Sequence, residues 1–180
     1  MIEVRGKQIE TLFSVDEIAQ RNAGMAHEIA QRPHTDLIVI AILKGSFVFA
    51  SDLIRAMHGS GLEPEVEFIT LSSYGAGTEA GTVRILRDID SEVDGRDVLL
   101  IDDILESGNT LKFARDLMLE RGAKSVEIAV LLDKHSRRKA DVKADYVGFD
   151  CPDYFVVGYG MDVGHAFREL PFVGNVVGDA

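Results

Sequence analysis

An α/β fold with a central, mostly parallel sheet flanked by helices is what the sequence predicts, on three observations. Short apolar runs such as DLIVIAIL at 36–43 and SVEIAVLL at 125–132 read as strands covered on both faces. Amphipathic segments of helical period separate the runs, and strand–helix–strand units of this length imply right-handed crossovers between parallel strands. The third observation is VLLIDDILESGNTL at 98–111, where four apolar residues run into two adjacent aspartates and a glycine turn. Such α/β sheets bind ligands at the C-terminal ends of their strands, where that turn would fall.

Each element has its own signal. Segment 16–31 is an amphipathic helix with Ile18, Ala19, Ala26, Ile29 and Ala30 as its apolar positions. Ser14 is its N-cap, and Glu17 three residues on completes a capping box. After strand 36–43 the KGS turn leads into a helix over 47–59, closed by Gly59. Strands are predicted over 65–73, 81–89 and 98–101. The helix over 111–122 puts Leu111, Ala114, Leu117 and Met118 on one face and ends at Gly122. Strand 125–132 follows, then short strands around 145–149 and 154–160. With no repeat, low-complexity tract or linker, residues 1–180 read as one domain.

Composition narrows the function classes. The chain is 46% hydrophobic and 27% charged, as in ordinary soluble globular proteins. No apolar run approaches the roughly 20 residues of a membrane span, and the opening MIEVRGKQIE has no signal-peptide core. Cys151 is the sole cysteine, so no internal disulfide or cysteine-based metal site is expected, and a cytoplasmic setting is. A net charge of −11 argues against a nucleic-acid or membrane surface, while leaving room for an anionic small molecule held by local donors. The histidines have no metal spacing: His27, His34, His58 and His165 read as surface or capping residues, and His135 merely follows Lys134.

The ESGNT turn, 106–110, would aim backbone N–H groups and a helix dipole at one spot, with hydroxyls from Ser107 and Thr110. A helix cap by Ser107 or Asn109 explains the turn alone equally well. It lacks the Walker GK[ST] and the dinucleotide GxGxxG, so neither an ATPase nor a dehydrogenase follows. The aspartates alter the balance. Asp102 and Asp103 can accept from two vicinal hydroxyls or face a hard cation such as Mg²⁺. Phosphate on the turn and a diol on the acids together describe a ribose 5-phosphate.

VLLIDDILESGNTL resembles the phosphoribosyl pyrophosphate (PRPP) motif of the type I phosphoribosyltransferases. LKGS at 43–46 resembles the pyrophosphate loop of the hypoxanthine–guanine branch, and SSYGAGTEAGTV at 72–83 its mobile loop. LLDKHS and DYVGFDCPDYFVVGYGMD at 145–162 resemble its purine site and C-terminal hood, here about 140–180. The resemblance implies the type I phosphoribosyltransferase fold and purine salvage: transfer from PRPP to a 6-oxopurine, with Mg²⁺, in a homodimer or homotetramer.

Residue by residue, the resemblance implies that Glu106, Ser107, Gly108, Asn109 and Thr110 bind the 5-phosphate. Asp102 and Asp103 would face the ribose and the metal, and Asp162 would reach the metal, often through water. Lys44, in a peptide often non-proline cis, would contact pyrophosphate with Gly45 and Arg168. Lys134 would donate to the exocyclic oxygen, Phe155 stack on the base and the Val156 backbone read its edge. Ser73 and Tyr74 would open a lid continuing through glycine-rich 75–81.

Two positions depart from the pattern. Asp102 stands where glutamate is commoner, and Glu106 replaces the usual aspartate general base. Lys134 with Phe155 disfavours a pyrimidine but cannot separate xanthine from guanine. A non-enzymatic PRPP sensor acting on transcription is disfavoured by the charge of −11, with Arg137-Arg138-Lys139 as the one basic cluster.

Overall fold

The computed structural model describes residues 1–74 and 82–177, so the glycine-rich 75–81 expected to form the lid lies outside the described residues. Two sheets carry the fold. The larger has six strands: β3 (Ile38–Leu43), β4 (Glu65–Tyr74), β5 (Thr82–Arg87), β6 (Asp97–Leu105), β7 (Ser125–Asp133) and β8 (Tyr146–Asp150). Their spatial order is β5-β4-β3-β6-β7-β8, parallel throughout except for antiparallel β5 on the edge. The chain passes from β3 outward to β4 and later returns to place β6 on the other side of β3. That reversal between β3 and β6 is where an open α/β sheet leaves a crevice at its carboxyl ends.

Helices α1 (Val15–Ala30) and α2 (Phe47–Gly59) cover one face, and α3 (Asn109–Glu120) the other. β3 is buried along almost its whole length, as its unbroken apolar run requires. The Ser14–Glu17 capping box opens α1 as expected. Its inner face differs from the reading: Asn22 and Met25 are buried, while Ala19 is exposed.

Two strand boundaries and one helix cap differ from the expectation. β6 does not stop at Ile101 but continues through both aspartates to Leu105, because β7 pairs with it as far as Leu105↔Asp133. α2 is closed by Gly61, not Gly59: Gly61 takes φ +85°, and its N–H donates to the His58 carbonyl while that of Leu62 donates to Met57. The strand expected at 154–160 shrinks to Val156–Val157, because Gly158, Tyr159 and Gly160 all take positive φ.

The smaller sheet joins the two ends of the chain. β1 (Ile2–Val4), β2 (Lys7–Phe13), β10 (Val173–Val177) and β9 (Val156–Val157) run in the order β1-β2-β10-β9, all antiparallel. Val156 and Val173 are buried in the same core as α1, α2 and β3, and Phe13 stacks on Phe149 of β8 at 4.1 Å between ring centroids. The small sheet is thereby fixed beside the carboxyl ends of the large one.

Candidate active site

β3, β6 and β7 lie side by side, and their carboxyl ends deliver Lys44-Gly45, Asp102 to Gly108, and Lys134 to one region. A cavity of about 390 Å³ opens there, lined among others by Lys44, Gly45, Ser73, Asp102, Asp103, Glu106, Ser107, Gly108 and Thr110. The Leu43–Lys44 peptide is cis. A Cβ on residue 45 would lie 1.9 Å from the Asp103 carboxylate, so a side chain there would have to displace that acid.

The acids are enclosed. Asp102 is 9% exposed, and its Oδ1 accepts from the Asp103 N–H at 2.9 Å; Asp103 Oδ1 accepts from the Ile104 N–H at 2.8 Å. Burial pushes both carboxyls above the usual range, and the neighbouring Asp103 charge raises Asp102 further. Hydrogen bonding with Asp102 and to the Ile104 N–H, and last the Arg168 charge, pull Asp103 back in part. A buried carboxylate beside a partly buried one invites hydroxyl donors or a hard cation. Among the described residues no group of three metal-ligating side chains forms. The adjacent Asp102 and Asp103 carboxylates at the cavity are a donor set of the kind that suits a hard cation such as Mg²⁺ completed by water and substrate phosphates.

The turn after β6 is shaped by Gly108, the N-cap of α3, at φ +84° and without a side-chain cap. Ser107 Oγ approaches only the Asn109 N–H, at 3.4 Å. Beyond that long contact no side chain caps the helix start, and its remaining N–H groups can serve an anion. Thr110 lines the cavity, whereas Asn109 faces a separate groove beside α3.

Lys134 is 5% exposed at the end of β7, and its Nζ donates to the Tyr154 carbonyl at 2.8 Å. Glu106 Oε1 lies 3.6 Å from that ammonium and 3.7 Å from Arg137. Phe155 is half-exposed beside Tyr154, and Val156 is buried in β9. Ser73 lies near the end of β4, and Tyr74 ends it. Arg168 lies outside the 390 Å³ cavity, donating to the Gly160 carbonyl at 2.7 Å and pairing with Asp162 at 2.8 Å. Asp162 also accepts from the His165 N–H at 2.8 Å.

Several supporting residues gave no sequence signal. Tyr159 Oη donates to Asp52 and accepts from Asn22 at 2.9 Å, pinning the 158–160 turn to α1 and α2. Gly160 then packs on the Gly45 carbonyl. His34 is not the surface or capping residue expected: its side chain is 7% exposed and meets Glu127 at 3.2 Å. Arg138 is no member of a loose basic cluster, since its guanidinium reaches the Leu105 and Glu106 carbonyls.

A mostly parallel sheet covered on both faces, with paired acids, a glycine turn and a cis-peptide loop converging at its switch point, is the arrangement of a phosphoribosyl transferase. The phosphoribosyl transferase domain family matches residues 8–163, and the chain belongs to that family. Hypoxanthine phosphoribosyltransferase of Salmonella typhimurium is 42% identical over 173 residues, 94% of this chain and 96% of that one. Hypoxanthine-guanine phosphoribosyltransferase of Aquifex aeolicus is 42% identical over 176 residues, covering 96% and 97%. The crystal structure of a hypoxanthine-guanine phosphoribosyltransferase from Bacillus anthracis, with a HEPES molecule in its active site, superposes with TM-score 0.88. It is 42% identical and covers 94% of this chain and 100% of that one. The fold is the type I phosphoribosyltransferase fold.

Proposed function

We propose that the chain transfers the 5-phosphoribosyl group of PRPP to N9 of hypoxanthine or guanine, giving IMP or GMP and pyrophosphate in purine salvage. The observation that carries this is the meeting of Glu106 and Lys134, 3.6 Å apart, beside a cavity lined by paired acids, phosphate turn and Lys44-Gly45 loop. A 6-oxopurine carries N7 and O6 on adjacent corners of one edge. A carboxylate for the N7 proton and an ammonium for O6 must then sit next to each other, as these do.

The turn 106–110 holds the 5-phosphate by backbone N–H groups and the Thr110 hydroxyl. Asp102 and Asp103 accept from the ribose hydroxyls, which restores partners to buried carboxylates. The Lys44-Gly45 loop and Arg168 hold pyrophosphate as negative charge collects on it. Mg²⁺, held by Asp102 and Asp103 with Asp162 in reach through water, would offset that charge. Glu106 accepts the N7 proton as the glycosidic bond forms. Lys134 has three donors; with one on Tyr154 and one toward Glu106, the third is available to O6. Phe155 stacks on the ring, the Val156 backbone reads its edge, and Ser73-Tyr74 begin a lid that keeps water from PRPP.

The buried, free Cys151 supports a reducing cytoplasmic setting. Phe47, Phe68 and Leu86 are exposed, apolar surface that the other copies in a homodimer or homotetramer would cover. The test of the assignment is steady-state turnover of separate bases with PRPP and Mg²⁺. Hypoxanthine and guanine are turned over and adenine is not, because an ammonium cannot accept from the adenine amino group. Adenine used as fast as hypoxanthine would overturn it.

A further inference from the structure

We propose that Arg138 is a positioning residue that aims the N–H groups of the phosphate turn and ties that turn to the base-reading Lys134. The proposal rests on the reading above, in which 106–110 holds a 5-phosphate. Arg138 follows the short helical turn His135–Arg137, and its side chain is 18% exposed. Its Nε donates to the Glu106 carbonyl at 3.1 Å, and its Nη1 to the Val142 carbonyl at 2.9 Å. Its Nη2 serves both the Leu105 carbonyl, at 3.3 Å, and the Asp133 carboxylate.

The next two residues extend the grip. The N–H groups of Lys139 and Ala140 both donate to the Ser107 carbonyl at 2.9 Å. Three successive carbonyls, of Leu105, Glu106 and Ser107, therefore face the 138–140 segment. In a trans peptide the N–H points opposite to the C=O of the same unit. Among the described residues the only cis bond is Leu43–Lys44, so the units after 105, 106 and 107 are trans. The N–H groups of Glu106, Ser107 and Gly108 accordingly turn away from Arg138, and those three residues line the cavity. Successive N–H groups on one side of a turn make an anion cradle.

The same guanidinium reaches the base side. Asp133, 4% exposed, immediately precedes Lys134, and the Lys134 N–H donates to the Leu105 carbonyl at 2.9 Å. Packing closes the joint: a Cβ on residue 108 would lie 2.6 Å from Val142 Cγ1 and 3.1 Å from Arg138 Cδ. Four acceptors on one side chain suit the five donors of a planar guanidinium. The three donors of an ammonium, radiating from one atom, cannot reach all four.

The test is Arg138→Lys in the full chain, with Asp133→Asn as the second variant. Calorimetry follows the nucleoside 5′-monophosphate IMP and, separately, inorganic pyrophosphate with Mg²⁺; kinetics and thermal melting accompany it. Losing one or two charge-assisted bonds should weaken IMP binding and raise the KM for PRPP by about 10- to 100-fold in Arg138→Lys. Pyrophosphate affinity stays within about twofold, because none of the four acceptors belongs to the Lys44-Gly45 loop. Asp133→Asn moves the same quantities the same way by less, and carries the test if Arg138→Lys does not fold. Unchanged IMP affinity in a folded variant overturns the proposal, and so does equal loss of both ligands with a lowered melting temperature. Wild-type protein that binds neither ligand would instead overturn the underlying reading of the site, and this proposal with it.

Discussion

Glu106 is one methylene longer than the aspartate its motif leads one to expect, and it sits between two cations, Lys134 and Arg137. In the proposed role, the longer arm would let the carboxylate reach both base and lysine from the turn after β6. Glu106→Gln should lower kcat about 10²- to 10⁴-fold, the range of general acid–base catalysis, and leave PRPP affinity nearly unchanged. Glu106→Asp should keep most activity; a fully active glutamine variant, measured where chemistry limits the rate, would remove the residue from proton transfer. The neighbouring acids work against stability. Asp102→Asn preserves the Oδ1 that accepts from Asp103 and removes a buried like charge. The ligand-free variant should melt several degrees higher while losing turnover, and a lower melting temperature would show the pair is not a stability cost. Asp102 and Asp103 were legible as candidates because they stand within a dense local pattern, and Lys134 because the stretch around it resembles a known family. Asn22 and Tyr159 were not, since they meet across 137 residues and neither is unusual alone.

Among elements, β3 and the Ser14 cap of α1 were readable because their determinants are local: an unbroken apolar run and a capping box. β6 was underestimated because acids read as a strand end, whereas pairing with β7 carries the strand through them. The small sheet was hidden for a related reason. β2 buries only Ile9 fully, and its partner β10 comes from the other end of the chain. At the opposite end of β7, Glu127 accepts from Arg32, from His34 at 3.2 Å and from Tyr146 at 3.0 Å, joining β7 to β8 and to the segment entering β3. Burial alone would raise the Glu127 carboxyl, but these donors outweigh it and hold it below the usual range. A depressed folded-state pKa stabilises above the ordinary glutamate value, and that stability is lost as pH falls through the folded value. Glu127→Gln should therefore cost about 1–3 kcal/mol at neutral pH. The difference should shrink in acid, as followed by urea unfolding at a series of pH values. A pH-independent difference would mean that shape, not charge, accounts for the effect.

The whole molecule places two kinds of recognition on one sheet edge. Lys44-Gly45 after β3, the acids and turn of β6, and Lys134 after β7 come from adjacent strands, so the proposed phosphate, ribose and base contacts would share one frame. The chain order gave these motifs singly; their convergence follows from the reversal between β3 and β6, which no single stretch of sequence displays. Arg138 and the Tyr159 anchor are the pieces that hold the frame, and both act through backbone or distant partners. The most direct test is one turnover: enzyme in excess over PRPP, with Mg²⁺ and hypoxanthine, followed for both products. IMP and pyrophosphate should appear together in equal amounts, with no AMP formed when adenine replaces hypoxanthine. Pyrophosphate released without IMP, or no reaction of PRPP at all, would contradict it.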